Sequence, residues 1–295
     1  MKLRSLLRAV GILVVSSLLV IPMAQSSAQG VTKKPVYKLI WSDEFNRKAG
    51  WGPDLTKWTY DTMLGPNSEK QYYTTSRLNS AHDGKGNMVI TSRLITETSP
   101  YYNYCLPDLT DTCWYTSARL KTSNLVGFKY GKITARIKMP AGQGVWPAFW
   151  MLGQDLNEGG TWPDCGELDI VEAKESQSNL VFGTAHGPNY SGGQGIGNVY
   201  VHNKPLAADY HTYSIIWKPN RVEWYFDGKL YHTLTPVDVM GNLWPYNAEF
   251  FLILNLAMGG TFAGDVDPTV KSAKMYVDYI RVYSVNGVGK VIKRG

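Results

Sequence analysis

Three carboxylic acids lie close together in the segment CGELDIVEAKE. They are Glu167, Asp169 and Glu172, and the apolar residues between them indicate a buried strand. On a regular strand Glu167 and Asp169 share a face, whereas Glu172, five residues after Glu167, points the opposite way. One extra residue, a β-bulge near Ile170 or Val171, would turn Glu172 to the same face. We therefore predict a bulged strand that presents all three acids on one surface.

This arrangement fits the cleavage of a glycosidic bond. The two glutamates are about 13 Å apart along the backbone, and side chains that lean inward can close most of that gap. Two carboxyl groups about 5–5.5 Å apart are what a retaining glycosidase requires, one ionised to attack the anomeric carbon and one protonated for the leaving oxygen. A third carboxyl between them can share a proton and separate their pKa values. Three exposed acids on an edge strand, or a cation site, are the alternatives, although hard cations usually take their ligands from flexible loops.

The segment GELDIVE, with GVWPAFWMLG before it and GTAHGPNYSGG after it, closely resembles family 16 of the glycoside hydrolases. The similar branch has the Glu-x-Asp-x-x-Glu signature and includes endo-β-1,3-glucanases (laminarinases), and the resemblance runs from WSDEFN to VDYIRVY. It implies a β-jelly-roll sandwich of two curved antiparallel sheets, concanavalin A-like, with a concave substrate cleft. It also implies that Glu167 is the nucleophile, Asp169 its hydrogen-bonded helper, and Glu172 the general acid and then base.

The substrate is less sharply indicated than the reaction. Many laminarinases have Ile and Met where this chain has Leu168 and Val171. The segment GPNYSGGQGIG resembles the glucanases more than the galactan hydrolases, so secreted hydrolysis of β-1,3-glucan is the favoured function. Mixed-linkage glucan, a galactan, or a jelly roll that binds carbohydrate without catalysis remain alternatives.

Residues around the acids are candidates for sugar binding. β-Glucosyl rings stack on flat aromatic faces, and Trp146 and Trp150, four residues apart, share one face of a strand. His186, on a neighbouring strand, could hydrogen-bond Asp169 or a sugar hydroxyl. Each of these residues also suits an ordinary core or surface position. Three further polar positions, Asn67, Glu69 and Arg119, come from the resemblance alone. The predicted substrate-binding residues are Asn67, Glu69, Arg119, Trp146, Trp150, Trp162 and His186.

A structural ion and a disulfide are also expected. The resemblance implies a structural Ca²⁺ away from the catalytic cleft, held by the Asp278 carboxylate and the backbone carbonyls of Glu44 and Gly86. Such oxygen ligands suit Ca²⁺, although Asp278 could instead pair with a lysine. No cofactor is expected for catalysis. Cys105 and Cys113 bracket a short polar loop, which a disulfide would close in an exported protein.

The elements that must position these residues are strands. Apolar and polar residues alternate in GKITARIKMP, and similar runs recur along the chain, including NMVITSRL, NLVFGTAH, HTYSIIWKP and MYVDYIRVYSV. Asp227-Gly228 between two such runs predicts a tight hairpin, and FFLILNLAM, apolar on both faces, predicts a strand covered on both sides. Only brief helical pieces are expected, around residues 235–240. The chain is therefore predicted to be all-β, with a two-sheet sandwich favoured over a closed barrel.

Residues 1–28 resemble a secretory signal, because basic residues precede an apolar stretch and SSA precedes Gln29 as a cleavage site. The apolar stretch is shorter than the roughly 18 residues of a membrane-spanning helix, although an uncleaved anchor is the alternative. We expect residues 29–295 to form one exported, monomeric catalytic domain, extracellular or periplasmic and not bound to a membrane. This part has 27 basic and 24 acidic residues, a net charge of +3, which argues against nucleic acid as a partner. A polysaccharide is the expected partner.

Overall fold

The computed structural model describes residues 34–105 and 113–294, and their short alternating runs form nineteen strands. The strands are β1 Tyr37–Asp43, β2 Thr59–Asp61, β3 Gln71–Tyr73, β4 Ser80–His82, β5 Met88–Leu94, β6 Tyr115–Ser117, β7 Arg119–Lys121, β8 Val126–Lys129, β9 Gly131–Lys138, β10 Val145–Gly153, β11 Glu167–Glu172, β12 Leu180–His186, β13 Ile196–Val201, β14 His211–Lys218, β15 Arg221–Phe226, β16 Lys229–Leu234, β17 Phe250–Met258, β18 Ser272–Val285 and β19 Lys290–Lys293. In β9 the residues Ile133, Ala135 and Ile137 are buried, and polar side chains alternate with them. This alternation is the predicted one.

The strands form two sheets that enclose one large apolar core. The ten-stranded sheet has the order β16-β15-β14-β9-β18-β5-β6-β3, with β1 beside β18 and β4 beside β5. The nine-stranded sheet has the order β13-β12-β11-β10-β17-β7-β2, with β8 between β17 and β19. Among the described strands every pair is antiparallel except β3 with β6. The predicted antiparallel sandwich is confirmed.

Strand β17 lies in the middle of the nine-stranded sheet, between β10 and β7. All nine of its residues are buried. Leu252, Leu254 and Leu256 point into the main core, whereas Phe251 and Ile253 pack on the other face with Leu152 and Cys165 in a second apolar cluster. Coverage on both faces explains why this strand lacks the polar alternation of its neighbours.

The hairpin prediction is confirmed and the helix prediction is wrong. Asp227 and Gly228 have φ angles of 45° and 76° between β15 and β16, as a two-residue hairpin turn requires. Residues 235–240 form turns because the Asp238 carboxylate accepts hydrogen bonds from the backbone N–H and the hydroxyl of Thr235. The described helices are α1 Tyr102–Cys105 and α2 Gly260–Ala263, with 3₁₀ turns at Gln154–Glu158, Glu175–Gln177, Gly192–Gln194, Leu206–Ala208 and Pro245–Asn247.

The unit that carries these sheets extends from Pro35 to Gly295. The predicted signal, residues 1–28, lies outside the described residues. None of the helices in the described ranges is long and apolar enough to cross a membrane. Cys105 and Cys113 form the predicted disulfide, with their Cα atoms 4.6 Å apart, and Cys165 is a buried free thiol.

Candidate active site

Strand β11 pairs with β10 in an irregular register. Ala148 lies opposite Glu172 and Trp150 lies opposite Asp169, so a step of two residues on β10 matches a step of three on β11. Strand β11 therefore contains one extra residue between Asp169 and Glu172, and its pairing with β12 shifts at the same place. The two apolar residues in this interval are both buried in the main core. The predicted β-bulge is confirmed.

The bulge brings Glu167 and Glu172 to the wall of one open cleft with a volume of about 580 Å³. The cleft lies on the face of the nine-stranded sheet that points away from the main core. Its lining residues are Pro66, Asn67, Arg119, Trp146, Trp150, Leu152, Trp162, Glu167, Glu172, His186, Gly192, Gly193, Thr261 and Phe262. Six of the seven predicted substrate-binding residues are among them.

Each of the three carboxylates has a specific nitrogen beside it. The indole N–H of Trp162 donates to Glu167 Oε2 at 2.7 Å. The indole N–H of Trp146 donates to Glu172 Oε1 at 2.9 Å. His186 Nε2 lies 3.1 Å from Asp169 Oδ2, the contact predicted for that histidine. The two indole N–H groups orient Glu172 and Glu167 and favour their ionised forms.

Burial and mutual repulsion oppose that ionisation. The pKa of Glu167 rises to about 8, first because burial penalises the charged form and second because of the charge on Asp169. The pKa of Glu172 rises to about 7, for which burial is again the largest cause and the charge on Glu167 the next. Burial and the charge on Glu172 also raise the pKa of Asp169 well above its ordinary value. The three acids therefore share protons near neutral pH.

The cleft floor is built around Trp150. Its indole N–H donates to Asn255 Oδ1 at 2.7 Å, and the Arg119 guanidinium lies 4.7 Å from the ring centroid. Arg119 Nε lies 2.9 Å from the Asp61 carboxylate, which holds the guanidinium against the ring. Asn255 and Asp61 were not predicted, because they lie far from the signature in the sequence.

The family model for Glycosyl hydrolases family 16 matches residues 67–281, which include the three acids and every residue that lines the cleft except Pro66. The chain belongs to this family. It is 37% identical over 265 residues to a protein named "Beta-glucanase" of Rhodothermus marinus, covering 85% of this chain and 86% of that protein.

Two solved structures extend this family 16 relationship to the fold. The laminarinase catalytic domain from Thermotoga maritima MSB8 is 40% identical with a TM-score of 0.75, covering 84% of this chain and 98% of that chain. The endo-beta-1,3-glucanase from Pyrococcus furiosus is 39% identical with a TM-score of 0.74, covering 84% and 95%. The predicted family and the predicted jelly-roll fold are both confirmed.

Two predicted polar residues of the family 16 site take different places. Asn67 lines the cleft. The Glu69 carboxylate instead accepts hydrogen bonds from Gln71 and, at 3.2 Å, from the Tyr73 hydroxyl. Burial, partly offset by these bonds, raises the pKa of Glu69 to about 7, and its charge in turn raises the pKa of Glu172. Glu69 therefore couples electrostatically to Glu172.

Sequence reasoning missed the segment that carries Phe262. The Phe262 ring lies 5.0 Å from the Trp146 ring, and the Lys174 ammonium lies 4.4 Å from the Phe262 ring. The glycines Gly259 and Gly260, with φ angles of 69° and 91°, turn the chain back over the cleft after β17. A side chain at Gly260 would come within 3.3 Å of Trp146. The signal in the sequence is an aromatic residue enclosed by glycines in MGGTFAG.

The carboxylate among the predicted calcium ligands has another partner in this arrangement. Asp278 Oδ2 lies 2.6 Å from Arg136 Nη1, so the carboxylate assigned to the ion is already paired with a cation. The Glu44 side chain pairs with Arg281, and Gly86 lies in the turn between β4 and β5 with φ 89°. Because Ca²⁺ would have to displace a guanidinium, the residues do not fit the ion as they stand. The calcium site stays a prediction.

Proposed function

We propose that this chain is a secreted retaining endo-glycosidase that hydrolyses laminarin-type β-1,3-glucan by double displacement. The observation that carries the proposal is the bulge in β11, which sets Glu167 and Glu172 on one cleft with an indole N–H on each. The printed names of the family 16 relatives support a β-1,3-glucan as substrate. Export rests on the signal-like sequence of residues 1–28 alone.

The proton distribution follows from the causes of the pKa shifts. Burial and the charge on Glu172 raise the pKa of Asp169, and we assign a proton to this carboxyl. A neutral Asp169 removes the charge that is the second cause of the raised pKa of Glu167. The pKa of Glu167, about 8, lies above that of Glu172, about 7, so the proposal requires that a neutral Asp169 reverse this order and leave Glu167 ionised, with its charge keeping the pKa of Glu172 high. The nucleophile is therefore charged while the acid carries its proton.

The reaction then proceeds in two steps. Glu167 attacks the anomeric carbon as Glu172 gives its proton to the glycosidic oxygen, which leaves with the aglycone and yields a covalent glycosyl-enzyme. In the second step Glu172 takes a proton from water, and the resulting hydroxide displaces Glu167 from the anomeric carbon. Two inversions give net retention. A sugar hydroxyl in place of water would give transglycosylation by the same route.

A cation site is the rival interpretation of the same residues. The ligand atoms of Glu167, Asp169 and His186 lie within 4.8 Å of one another. However, Glu167 Oε2 already accepts the Trp162 N–H, which takes one of the roughly four lone-pair sites of this carboxylate. The donor arrangement therefore favours acid–base and nucleophilic chemistry.

The test is hydrolysis of laminarin, lichenan, agarose and carrageenan, with the size and anomer of the products followed by NMR. The parent should cleave laminarin internally and release the β-anomer first, because two inversions restore the configuration. Glu167→Gln should lose hydrolysis while it still binds laminarin. The matched control is Glu175→Gln, an acid three residues beyond β11 that does not line the cleft.

Azide distinguishes the two glutamates. In Glu167→Ala, azide should attack the anomeric carbon once and give the α-glycosyl azide. In Glu172→Ala, it should replace water on the covalent intermediate and give the β-glycosyl azide. The opposite pattern would reverse the two assignments. Laminarin binding without hydrolysis in the parent would favour a carbohydrate-binding module, and cleavage of only agarose or carrageenan would favour a galactan hydrolase.

A further inference from the structure

A second groove lies on the outer face of the ten-stranded sheet, the face that points away from the main core. Its volume is about 480 Å³, against about 580 Å³ for the cleft. Both volumes are within the roughly 300–1,000 Å³ typical of ligand sites. The two sets of lining residues have no member in common. The groove is therefore separate from the catalytic site.

Side-chain size along neighbouring strands creates this groove. Ser214 on β14 lies opposite Thr134 on β9 and opposite Tyr225 on β15. The two short side chains form a floor, with Tyr225 as one wall. Tyr279 and Tyr283 of β18 form the other wall, because β18 lies on the far side of β9. The result is a trough with a hydroxyl-bearing floor and aromatic sides.

The polar groups in the trough are held in place by the protein. The Ser214 hydroxyl donates to Thr134 Oγ1 at 2.7 Å, and both residues are buried. The Tyr225 hydroxyl donates to Glu223 Oε2 at 3.1 Å, which fixes the orientation of that ring. Lys132 is half-buried in the groove, and its ammonium lies 5.1 Å from the ring centroid of Tyr37. These groups offer a hydroxylated ligand both donors and acceptors without a large rearrangement.

The charges of the groove favour a neutral ligand. Lys132 is the one cation among the lining residues, and Asp227 is the one carboxylate. Asp227 already accepts hydrogen bonds from His211 and Thr212. This balance supplies no excess positive charge for a sulfated or phosphorylated polymer. Flat aromatic sides around hydroxyl groups instead match the apolar faces and equatorial hydroxyls of a hexose ring.

We infer that this groove is a second glycan-binding site, which holds another stretch of the same neutral β-glucan that the cleft cleaves. The identity of the ligand rests on the proposed function; the location and the neutral character of the site rest on the groove itself. A glucan held at both sites raises its effective concentration at the cleft, because the second contact becomes intramolecular. The gain applies to long or insoluble chains and not to short oligosaccharides.

The test uses the full chain with Glu167→Gln, which prevents cleavage, titrated with a linear β-1,3-glucan oligosaccharide by calorimetry and by NMR. Two binding events are expected, and the amide signals of Thr134 and Ser214 should shift in one of them. Tyr225→Ala with Tyr283→Ala should weaken that event by roughly tenfold or more, because the two changes remove a stacking ring from each wall of the trough. Tyr276→Ala is the matched control, on the same strand as Tyr283 and outside the groove.

Each outcome separates this inference from the proposed function. One binding event that Trp146→Ala removes, with no shift at Thr134 or Ser214, would overturn the second site and leave the cleft assignment intact. Binding at the groove by carrageenan but not by glucan would overturn the neutral ligand. If the parent does not hydrolyse laminarin although the groove signals still shift, the proposed function is contradicted and the second site is not. Because the NMR signals are read in the parent groove, the test does not depend on the double variant folding.

Discussion

The two indole N–H groups at the catalytic acids should have opposite effects on the width of the pH–activity profile. Trp146 donates to Glu172 and Trp162 donates to Glu167, and each bond favours the ionised carboxylate. Replacement of either tryptophan by phenylalanine keeps an aromatic ring but removes the donor. The pKa of the adjacent glutamate should therefore rise in both variants.

The consequences differ because the two glutamates must be in different protonation states. In the proposed mechanism activity falls at high pH as Glu172 loses the proton that the leaving group needs. A higher pKa in Trp146→Phe moves this basic limb to higher pH and widens the profile. Activity falls at low pH as Glu167 gains a proton. A higher pKa in Trp162→Phe moves the acidic limb to higher pH and narrows the profile.

The sizes of the two shifts should also differ. A hydrogen bond to a charged group contributes about 1.5–3 kcal/mol, and one pKa unit corresponds to about 1.4 kcal/mol. The protonated acid retains part of that bond, so the basic limb should move by about one unit in Trp146→Phe. The Trp162 side chain is 46% exposed, and water can replace its N–H, so about half a unit is expected there.

The assay is kcat/KM for a soluble β-1,3-glucan oligosaccharide from pH 4 to 9, because this ratio reports the pKa values of the free enzyme. The control is Trp114→Phe, an exposed tryptophan that does not line the cleft. The assignment of acid and nucleophile is wrong if both variants shift the same limb of the profile. It is also wrong if Trp162→Phe shifts the basic limb and Trp146→Phe does not.

Two further predictions follow from the same structure. Asp169→Asn should retain at least about tenfold more kcat than Asp169→Ala, since the amide keeps a neutral hydrogen-bond donor beside Glu167. If both variants lose kcat equally, with KM and the unfolding temperature unchanged, Asp169 does not act by positioning Glu167. Cys105→Ser should lower the free energy of unfolding in urea by about 2–3 kcal/mol, because the disulfide closes an eight-residue interval in the unfolded chain; a reductant should then destabilise the parent and leave the variant unchanged.

The sequence predicted the strands and the acid-bearing face well because both are local properties. Alternation over a few residues determines which side of a strand is buried, as in β9, and Asp227-Gly228 defines its hairpin within two residues. The bulge in β11 was predictable for the same reason. The tryptophans near the acids also follow from local spacing, since Trp146 and Trp150 lie on one face of the strand beside β11.

The partners that come from neighbouring strands far apart in the sequence could not be predicted in this way. Asp61 holds Arg119 over Trp150 from a strand 58 positions away in the chain, and nothing in either segment encodes the pairing. The family resemblance assigned Asp278 to an ion, and its partner Arg136, 142 positions away, was not predicted. Phe262 was missed because a glycine turn, and not a strand, delivers it to the cleft. Contacts of this kind depend on the register of several strands together.

The bulge leaves its own trace in the sequence, in the apolar residues rather than in the acids. Along a regular strand single apolar residues alternate with outward ones, yet here Ile170 and Val171 are adjacent and both are buried in the core. Two consecutive side chains can both enter the core only if the strand contains one extra residue, the bulge. This extra residue turns Glu172 to the same side of the sheet as Glu167. The hydrophobic requirement of the core thus enforces the geometry of the acids. Substitutions that keep residues 170 and 171 apolar should preserve catalysis. Deletion of either residue would remove the bulge and point the Glu172 side chain into the core.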